Sequence, residues 1–151
     1  RRDFQGYSWG PESDLLGLGV TAIGAIEATY SQNHRILSDY RRSLDRNEVP
    51  IVRGIALTSD DLVRRAVIQS LMCQFAVSRN AIEAAHRIDF TRYFDAELEA
   101  LREFADAGLV SWDGDRLTVL SRGRMLVRSI CRVFDRYFSA GGARVRYSRV
   151  I

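Results

Sequence analysis

Apolar residues recur at intervals of three and four along much of the chain. Leu62 and Ala66 form one such column, and Val63, Val67 and Leu71 form another. This spacing puts apolar side chains on one face of a helix and predicts packing of that face against a core. With its capping residues, the pattern predicts five helices: Arg35–Arg46, Thr58–Gln74, Ser78–His86, Phe94–Ala107 and Ser121–Phe138.

Two longer apolar runs predict strands. Leu15–Ile26 is apolar at nearly every position and rich in glycine, so we expect a buried strand with a tight turn in a covered, parallel-type sheet. Ile51–Leu57, which follows Pro50, predicts a second strand. The residues before the first run, Phe4–Tyr7, have the composition of a strand end, and Ser31–Asn33 has that of a polar loop.

The Asp113-Gly114 pair predicts a β-hairpin. It stands between Leu109–Trp112 and Arg116–Val119, and Asp-Gly is a strong two-residue hairpin signal. Gly108, just before the hairpin, is expected to end the third helix as a residue in the left-handed conformation.

The order helix, helix, helix, hairpin, helix is that of a winged-helix domain. Ile51–Leu57 is available as the third strand of its small sheet, so we expect a mainly α fold with a small β component (α+β). The predicted organisation is an edge element with a connecting helix at residues 1–50, a winged-helix-like domain at 51–140 and a basic tail at 141–151.

Composition is that of a globular protein, with 46% hydrophobic and 27% charged residues. The longest apolar run is shorter than the roughly 20 residues that span a bilayer, so no membrane partner is expected. All 22 basic residues are Arg, and the net charge of +3 does not by itself imply nucleic acid. Cys73 and Cys131 are too few and too far apart for a disulfide framework or a zinc site, which predicts buried thiols in a reducing cytoplasm.

No complete catalytic constellation is present in the sequence. The two histidines, His34 and His86, are expected on polar faces, so we assign neither a catalytic residue nor a metal ligand. Gly17, Gly19 and Gly24 do not fit the G-x-G-x-x-G spacing of a dinucleotide loop. The residues leave two interpretations open for these glycines: close packing against a neighbouring strand, or close approach of the backbone to a ligand.

A winged-helix order invites a nucleic-acid hypothesis, which the charges oppose. The third helix, which would enter the major groove, has Arg102 as its single base and five acids expected on a solvated face: Asp95, Glu97, Glu99, Glu103 and Asp106. Asp113 and Asp115 add acid at the hairpin. Because DNA affinity depends on cations that neutralise phosphates, no nucleic-acid partner is expected.

Nine segments, in order, together cover nearly the whole chain: Arg2–Tyr7, Asp14–Ile23, Tyr30–Asn33, Arg53–Leu57, Arg64–Ile68, Leu71–Cys73, Asp106–Val110, Gly123–Arg128 and Ser148–Ile151. This ordered set resembles the last third of the oxygen-independent coproporphyrinogen III oxidases, a radical-SAM family. It favours this family over the related haem chaperones.

The resemblance implies a partial β/α barrel with a 4Fe–4S cluster on a CxxxCxxC motif, followed by a mostly helical domain. It implies that a radical derived from S-adenosylmethionine oxidatively decarboxylates two propionates of coproporphyrinogen III to vinyl groups in cytoplasmic haem synthesis. It also implies that residues 1–50 form the last edge of the barrel. Because the cluster motif is absent from the sequence, the chain would be inactive alone. The implied partners are coproporphyrinogen III, the protein's own N-terminal barrel and an electron donor, and a monomer is expected.

Residue by residue, Phe4, Gln5 and Ile23 match family positions beside bound S-adenosylmethionine. On the same stretch, Gly17 and Gly19 would allow close backbone approach.

We expect the helical domain to cover the barrel mouth and exclude water. Arg144, Arg146 and Arg149 in the tail are candidates to hold substrate carboxylates, and an exposed basic tail is the alternative. Two other functions stay open. One is a stand-alone winged-helix module for interaction or nucleic-acid binding, and the other is a related radical-SAM protein of the haem pathway that does not decarboxylate.

Overall fold

The structure, a computed structural model, describes residues 2, 3, 6, 7 and 14–140. The chain divides into two compact units, Arg1–Leu62 and Val63–Ile151. Helices and small antiparallel sheets make up both units, which confirms the predicted fold class.

The first unit contains two antiparallel sheets and one helix. Strands β1 (Arg2–Asp3) and β2 (Gly6–Tyr7) pair with each other. Strands β3 (Ile23–Ile26), β4 (Thr29–Asn33) and β5 (Ile51–Ala56) form a sheet in that order. The first predicted helix is confirmed and corresponds to α1 (Leu37–Asp45). The strand predicted before Thr58 is also confirmed and corresponds to β5.

The prediction of one buried strand over Leu15–Ile26 is wrong. Only Ile23–Ile26 is a strand, and Leu15 makes an isolated antiparallel bridge to Ala25. Gly19, at φ 97°, and Thr21, at φ 61°, turn the chain between these two points. These positive φ angles are incompatible with an extended strand, so the run folds back on itself in an antiparallel sheet rather than crossing a parallel one.

The predicted polar loop at Ser31–Asn33 is also wrong, because these residues belong to β4. Ser31 pairs with Gly24 on one side and with Gly54 on the other. Polar side chains suit this strand because the sheet around it is largely exposed.

The second unit forms one hydrophobic core from helices and a three-stranded sheet. The unit starts within α2 (Ser59–Gln74), which is followed by β6 (Ala76–Ser78) and α3 (Arg79–His86). The fully buried rings lie in contact, with centroids 4.9 Å apart for Phe90 and Phe94 and 5.3 Å apart for Phe94 and Phe134. The remaining elements are α4 (Phe90–Tyr93), α5 (Asp95–Ala100), α6 (Arg102–Asp106), β7 (Val110–Asp113), β8 (Arg116–Val119), a 3-10 helix (Ser121–Leu126), α7 (Val127–Arg132) and α8 (Arg136–Ala140).

The best-capped predicted elements are confirmed. At the start of α2, Thr58 Oγ1 accepts a hydrogen bond from the Asp61 amide at 3.2 Å, and the Asp61 carboxylate accepts from the Thr58 amide at 2.8 Å. Ser78 caps α3 through a 3.1 Å bond from the Ala81 amide. Gly108 has φ 67°, as expected of a residue that ends a helix in the left-handed conformation.

The small sheet takes its third strand from a different place than predicted. Its order is β6-β8-β7, so Ala76–Ser78 supplies this strand and Ile51–Ala56 pairs with β4 instead. The hairpin itself is confirmed, with Asp113 paired to Arg116 across the turn.

Two helices predicted as continuous are divided. The third begins earlier, at Phe90, because the Asp89 carboxylate caps it through a 2.9 Å bond from the Arg92 amide. The last predicted helix is divided into a 3-10 helix, α7 and α8, which follow one another along the chain. Ser121 at its start makes no capping hydrogen bond. Gly123 packs directly on the Leu109 carbonyl of an earlier segment, and the Asp135 carboxylate accepts backbone N–H bonds at the start of α8. These two contacts interrupt the helical repeat.

Asp115 in the hairpin turn fastens the hairpin to the start of α3. Its carboxylate accepts hydrogen bonds of 2.6 Å from the Ser78 hydroxyl and from the Asn80 amide, and its carbonyl accepts from the Arg79 amide at 2.9 Å. The Ser78 hydroxyl, followed by the Asn80 amide, lowers the pKa of the Asp115 carboxyl below its ordinary value. The ionised carboxylate therefore favours the folded state.

We predict that Asp115→Asn lowers the melting temperature at neutral pH and that its effect shrinks in acid. Because the folded-state pKa is lowered, the contribution of Asp115 is present above its unfolded-state pKa and is lost as pH falls through the folded-state value. Thermal unfolding between neutral and acidic pH measures this difference. Asp113→Asn, in the same hairpin, is the matched control. A gap between parent and Asp115→Asn that stays constant down to strongly acidic pH would contradict the prediction.

Candidate functional site

A turn of the first unit, residues 17–22 (here the glycine loop), is held by the side chain of Asn33. The Asn33 amide nitrogen donates to the Gly17 carbonyl at 3.0 Å and to the Gly19 carbonyl at 2.9 Å. Asn33 is 5% exposed, so water does not compete strongly for these bonds. The register of β4 against β5 shifts between Gln32 and Asn33, at the point where this amide meets the loop.

Further polar contacts fix the loop from neighbouring elements. The Tyr40 hydroxyl on α1 accepts a 3.1 Å bond from the Gly19 amide. The Thr21 amide donates to the His34 carbonyl at 2.9 Å, and Gln32 donates to the Thr21 carbonyl at 3.3 Å. The loop is thus ordered by hydrogen bonds from a strand and a helix.

The three glycines of this region have different physical reasons to be glycine. A Cβ on Gly17 would lie 2.9 Å from the Ile23 carbonyl carbon, and one on Gly24 would lie 2.7 Å from the Ser31 hydroxyl oxygen. Gly19 has φ 97° and open space where a Cβ would be. Close packing within the chain therefore accounts for Gly17 and Gly24, whereas the side of Gly19 is open to an approaching group.

Three residues were predicted to lie beside S-adenosylmethionine, and the structure describes one of them, Ile23. This residue is the first of β3, and it is 44% exposed. Ile26, three positions later in the strand, is 43% exposed and points to the opposite face. Phe4 and Gln5 lie outside the described residues, and so do the substrate candidates in the tail: Arg144, Arg146 and Arg149.

Sequence reasoning missed the two side chains that order the loop. Asn33 was part of a predicted polar loop, and Tyr40 was counted only as an apolar position of a helix. Asn33 lies 14 and 16 residues from its two carbonyl partners, and Tyr40 lies 21 residues from Gly19. The one available signal was an Asn at the end of a polar stretch that borders an apolar strand.

The first unit leaves its apolar side chains largely uncovered. Its described buried residues are Gly24, Asn33, Pro50 and Asp61. All six residues of β5 are exposed, although the strand is mainly apolar. The large side chains of this apolar surface, each more than a third exposed, are Leu15, Leu16, Leu18, Val20, Ile23, Ile26, Ile36, Leu37, Leu44, Val49, Ile51, Val52 and Ile55.

The side chains described do not form a site for a metal cluster. Among residues 14–138, no group of three or more His, Cys, Asp or Glu is placed to hold a metal ion. Burial, followed by the neighbouring Cys73, raises the pKa of the Cys131 thiol to about 12, so this cysteine is a protonated core residue. The prediction of buried thiols is confirmed for Cys131, whereas Cys73 is half-buried.

The acidic face of the third predicted helix has one exception. Asp95, Glu99, Glu103 and Asp106 are exposed as expected. Glu97 is instead largely buried and pairs with Arg64 at 2.7 Å. Its role is therefore structural, and the four exposed acids remain a face that repels phosphate.

We predict that Asn33→Ala releases the glycine loop. Two carbonyls lose their donor, and about 2 kcal/mol of local stability is lost on the usual scale for unsatisfied buried groups. Amide hydrogen exchange at Gly19 and Thr21, which donate to Tyr40 and His34, should then accelerate by about 30-fold. Asn33→Asp should have a larger effect, because a carboxylate would face two carbonyl oxygens.

The matched control is Gln32→Ala, which removes one exposed bond to the same loop. Its effect on the exchange of Gly19 and Thr21 should be small. Unchanged exchange in Asn33→Ala would show that the loop is held by other contacts.

Comparison with known proteins identifies relatives over the whole chain. Residues 57–126 match the HemN C-terminal domain. The chain is 44% identical over 99% of its length to oxygen-independent coproporphyrinogen III oxidase of Synechocystis, and 47% identical over 100% to that of Pseudomonas aeruginosa. The matched region is 33% of each relative, so the chain spans a third of their length.

A solved structure agrees with these sequence matches. Coproporphyrinogen III oxidase (HemN) from Escherichia coli, a radical SAM enzyme, matches 90% of this chain with a TM-score of 0.84 and 43% identity, over 31% of its own length. Over essentially its whole length, the chain is similar to a third of the oxygen-independent coproporphyrinogen III oxidases, and residues 57–126 match the HemN C-terminal domain.

Proposed function

We propose that this chain is the C-terminal part of an enzyme that oxidatively decarboxylates two propionates of coproporphyrinogen III in haem biosynthesis in the cytoplasm. The observation that carries the proposal is similarity at 44–47% identity along essentially the whole chain to proteins named for this reaction. The chain spans a third of those proteins, so it is expected to act with a longer N-terminal part and not alone.

The apolar surface of the first unit supports this division of labour. Folded soluble proteins rarely leave so many large apolar side chains exposed to water in one unit, and such exposure marks interfaces. In the proposal, residues 1–50 complete the edge of a radical-SAM barrel, and the N-terminal part of the same protein covers this surface. Strand β5 contributes to this exposure, since all six of its residues are exposed.

The glycine loop and Ile23 have the properties required beside S-adenosylmethionine. Ile23 offers an exposed apolar side chain, and the open side of Gly19 lets a ligand approach the backbone. In this proposal, Ile23 packs on the ligand together with Phe4 and Gln5. Asn33 would act on the ligand indirectly, because it is buried and holds the glycine loop in place through its hydrogen bonds.

A 4Fe–4S cluster does not fit the residues described. Cys131 is buried and protonated, and no group of potential ligands converges in the described part of the chain. We therefore assign the cluster to the N-terminal part of the protein. Cluster and S-adenosylmethionine together would supply the radical chemistry, while this chain shapes the cofactor edge and keeps water out.

The second unit is proposed to cover the substrate. It has its own complete core, so it can act as a rigid lid without support from elsewhere. In the tail, Arg144, Arg146 and Arg149 are our candidates for the substrate carboxylates, since guanidinium groups pair with carboxylates in bidentate fashion. The winged-helix-like order of elements is taken as scaffold, because the exposed acids of α5 and α6 would repel a nucleic acid.

The proposal is tested with the full-length protein, reconstituted and assayed without oxygen. We expect conversion of coproporphyrinogen III to a product with two propionates fewer, dependent on S-adenosylmethionine and followed by chromatography of the oxidised porphyrins. Consumption of S-adenosylmethionine without loss of propionates would assign the protein to another radical-SAM reaction. Absence of S-adenosylmethionine binding would overturn the proposal.

Within that assay, Ile23→Ala should raise the KM for S-adenosylmethionine by about three- to tenfold, the effect of losing part of an apolar contact. Ile26→Ala is the matched control, because it removes the same atoms from an equally exposed position on the other face of β3. The KM for coproporphyrinogen III should stay unchanged in both variants. Equal KM values for S-adenosylmethionine in both variants would remove Ile23 from the site.

A further inference from the structure

One segment of the second unit carries charged side chains of positive sign only. Residues 116–134 contain five Arg and no Asp or Glu. These arginines are exposed, and none of the ion pairs that the structure describes involves Arg122, Arg124, Arg128 or Arg132. None of these four side chains pairs with a carboxylate in the described part of the chain, so their charge is available to an anionic partner.

The fold places three of these arginines along one side of the segment. Gly123 and Cys131 are buried and Val127 is half-buried, so these positions face the core. Arg124, Arg128 and Arg132 each follow one of these core-facing residues by one position and are exposed. Like charges four residues apart repel, so this arrangement weakens the isolated segment.

Aromatic rings hold two of the guanidinium groups. The guanidinium carbon of Arg124 lies 4.9 Å from the centre of the Phe75 ring, and that of Arg132 lies 3.5 Å from the centre of the Phe138 ring. Such cation–π contacts restrict the side chains while leaving their N–H donors available.

Large apolar side chains stand exposed among these arginines. Met125 is 92% exposed, and its neighbour Leu126 is 45% exposed. Leu120, just before the 3-10 helix, is 37% exposed. Exposed apolar groups are unfavourable in water, and their position beside cations is typical of a surface that meets an amphipathic partner.

We propose that Arg122, Arg124, Met125, Leu126 and Arg128, here the cation–methionine surface, bind an anionic lipid surface. The arginines would neutralise lipid phosphates, and Met125 and Leu126 would enter the apolar layer below the headgroups. Charge complementarity selects an anionic partner, and the exposed apolar pair selects one with an apolar interior. The association is peripheral, because no helix in the described part of the chain is long and apolar enough to cross a membrane.

This proposal changes one expectation drawn from the sequence. The absence of a membrane partner was inferred from the lack of a spanning segment, and a lipid surface does not require one. A nucleic acid would satisfy the arginines but would leave Met125 and Leu126 in water. An acidic protein is the remaining alternative, and the experiment separates it from lipid.

The test is cosedimentation of the full-length protein with phosphatidylcholine vesicles, with and without phosphatidylglycerol. We expect binding only to the anionic vesicles and weaker binding as salt is raised. Each Arg near an anionic surface changes binding by about fivefold, so Arg124→Glu with Arg128→Glu should weaken it by about 100-fold or more. Met125→Ser should weaken binding without altering its dependence on salt.

Arg87→Glu with Arg92→Glu is the matched control, since it makes the same change of charge at exposed positions of the same unit that take part in none of the described ion pairs. It should retain most of the binding, and circular dichroism should show that all variants remain folded. Three results would overturn the proposal: no binding to anionic vesicles, equal binding to neutral vesicles, or equal losses in both double variants. Binding of duplex DNA or polyglutamate that depends on Arg124 and Arg128, with no binding to vesicles, would assign the surface to another partner.

Discussion

The amide of Asn33 between the carbonyls of Gly17 and Gly19 is the contact that ties the glycine loop of the first unit to its sheet. The described part of this unit contains almost no buried apolar side chain, so the hydrophobic effect, which normally dominates folding, contributes little among these residues. Hydrogen bonds must fix the chain instead. A buried amide that donates both of its N–H bonds to one loop is well suited to this, because breaking it leaves two carbonyls unsatisfied.

The two units therefore stand in contrast. The second has a continuous core that includes Phe90, Phe94, Phe134, Leu71 and Leu117, each fully buried. Only the first has a sheet whose apolar residues lie mostly in water. A sheet of this kind becomes stable when another surface covers it, and this agrees with a chain that spans a third of its relatives' length.

The sequence predicted best those elements whose signals are local. The cap at Thr58, the cap at Ser78 and the Asp113-Gly114 turn each act within a few residues, and the elements they define are present. The sequence-based prediction was wrong where an apolar composition was interpreted as evidence that a segment is buried. Leu15–Ile26 is apolar enough for a core strand, but apolar composition does not say which surface will cover it, and two positive φ angles redirect the chain.

The same reasoning explains what was missed at the candidate site. Ile23 was predicted through resemblance to a family, and Gly17 and Gly19 stood out by their spacing in the sequence. Asn33 and Tyr40 act across 14 to 21 residues of chain and carry no local signature. The division of the last helix has a related origin. Gly123 packs on the Leu109 carbonyl, a contact between segments that helical periodicity does not encode.

Charge is distributed unevenly along the second unit, and this bears on what the unit can bind. Residues 83–115 carry nine acids and three arginines, whereas residues 116–134 carry five arginines and no acid. Uniform mixing would give the same solubility without the repulsion between neighbouring arginines. Because the charges are separated, residues 83–115 repel phosphate, whereas residues 116–134 attract it. Of the two, only the basic face also exposes Met125 and Leu126, so an anionic partner with an apolar layer satisfies both features of that face with a single contact.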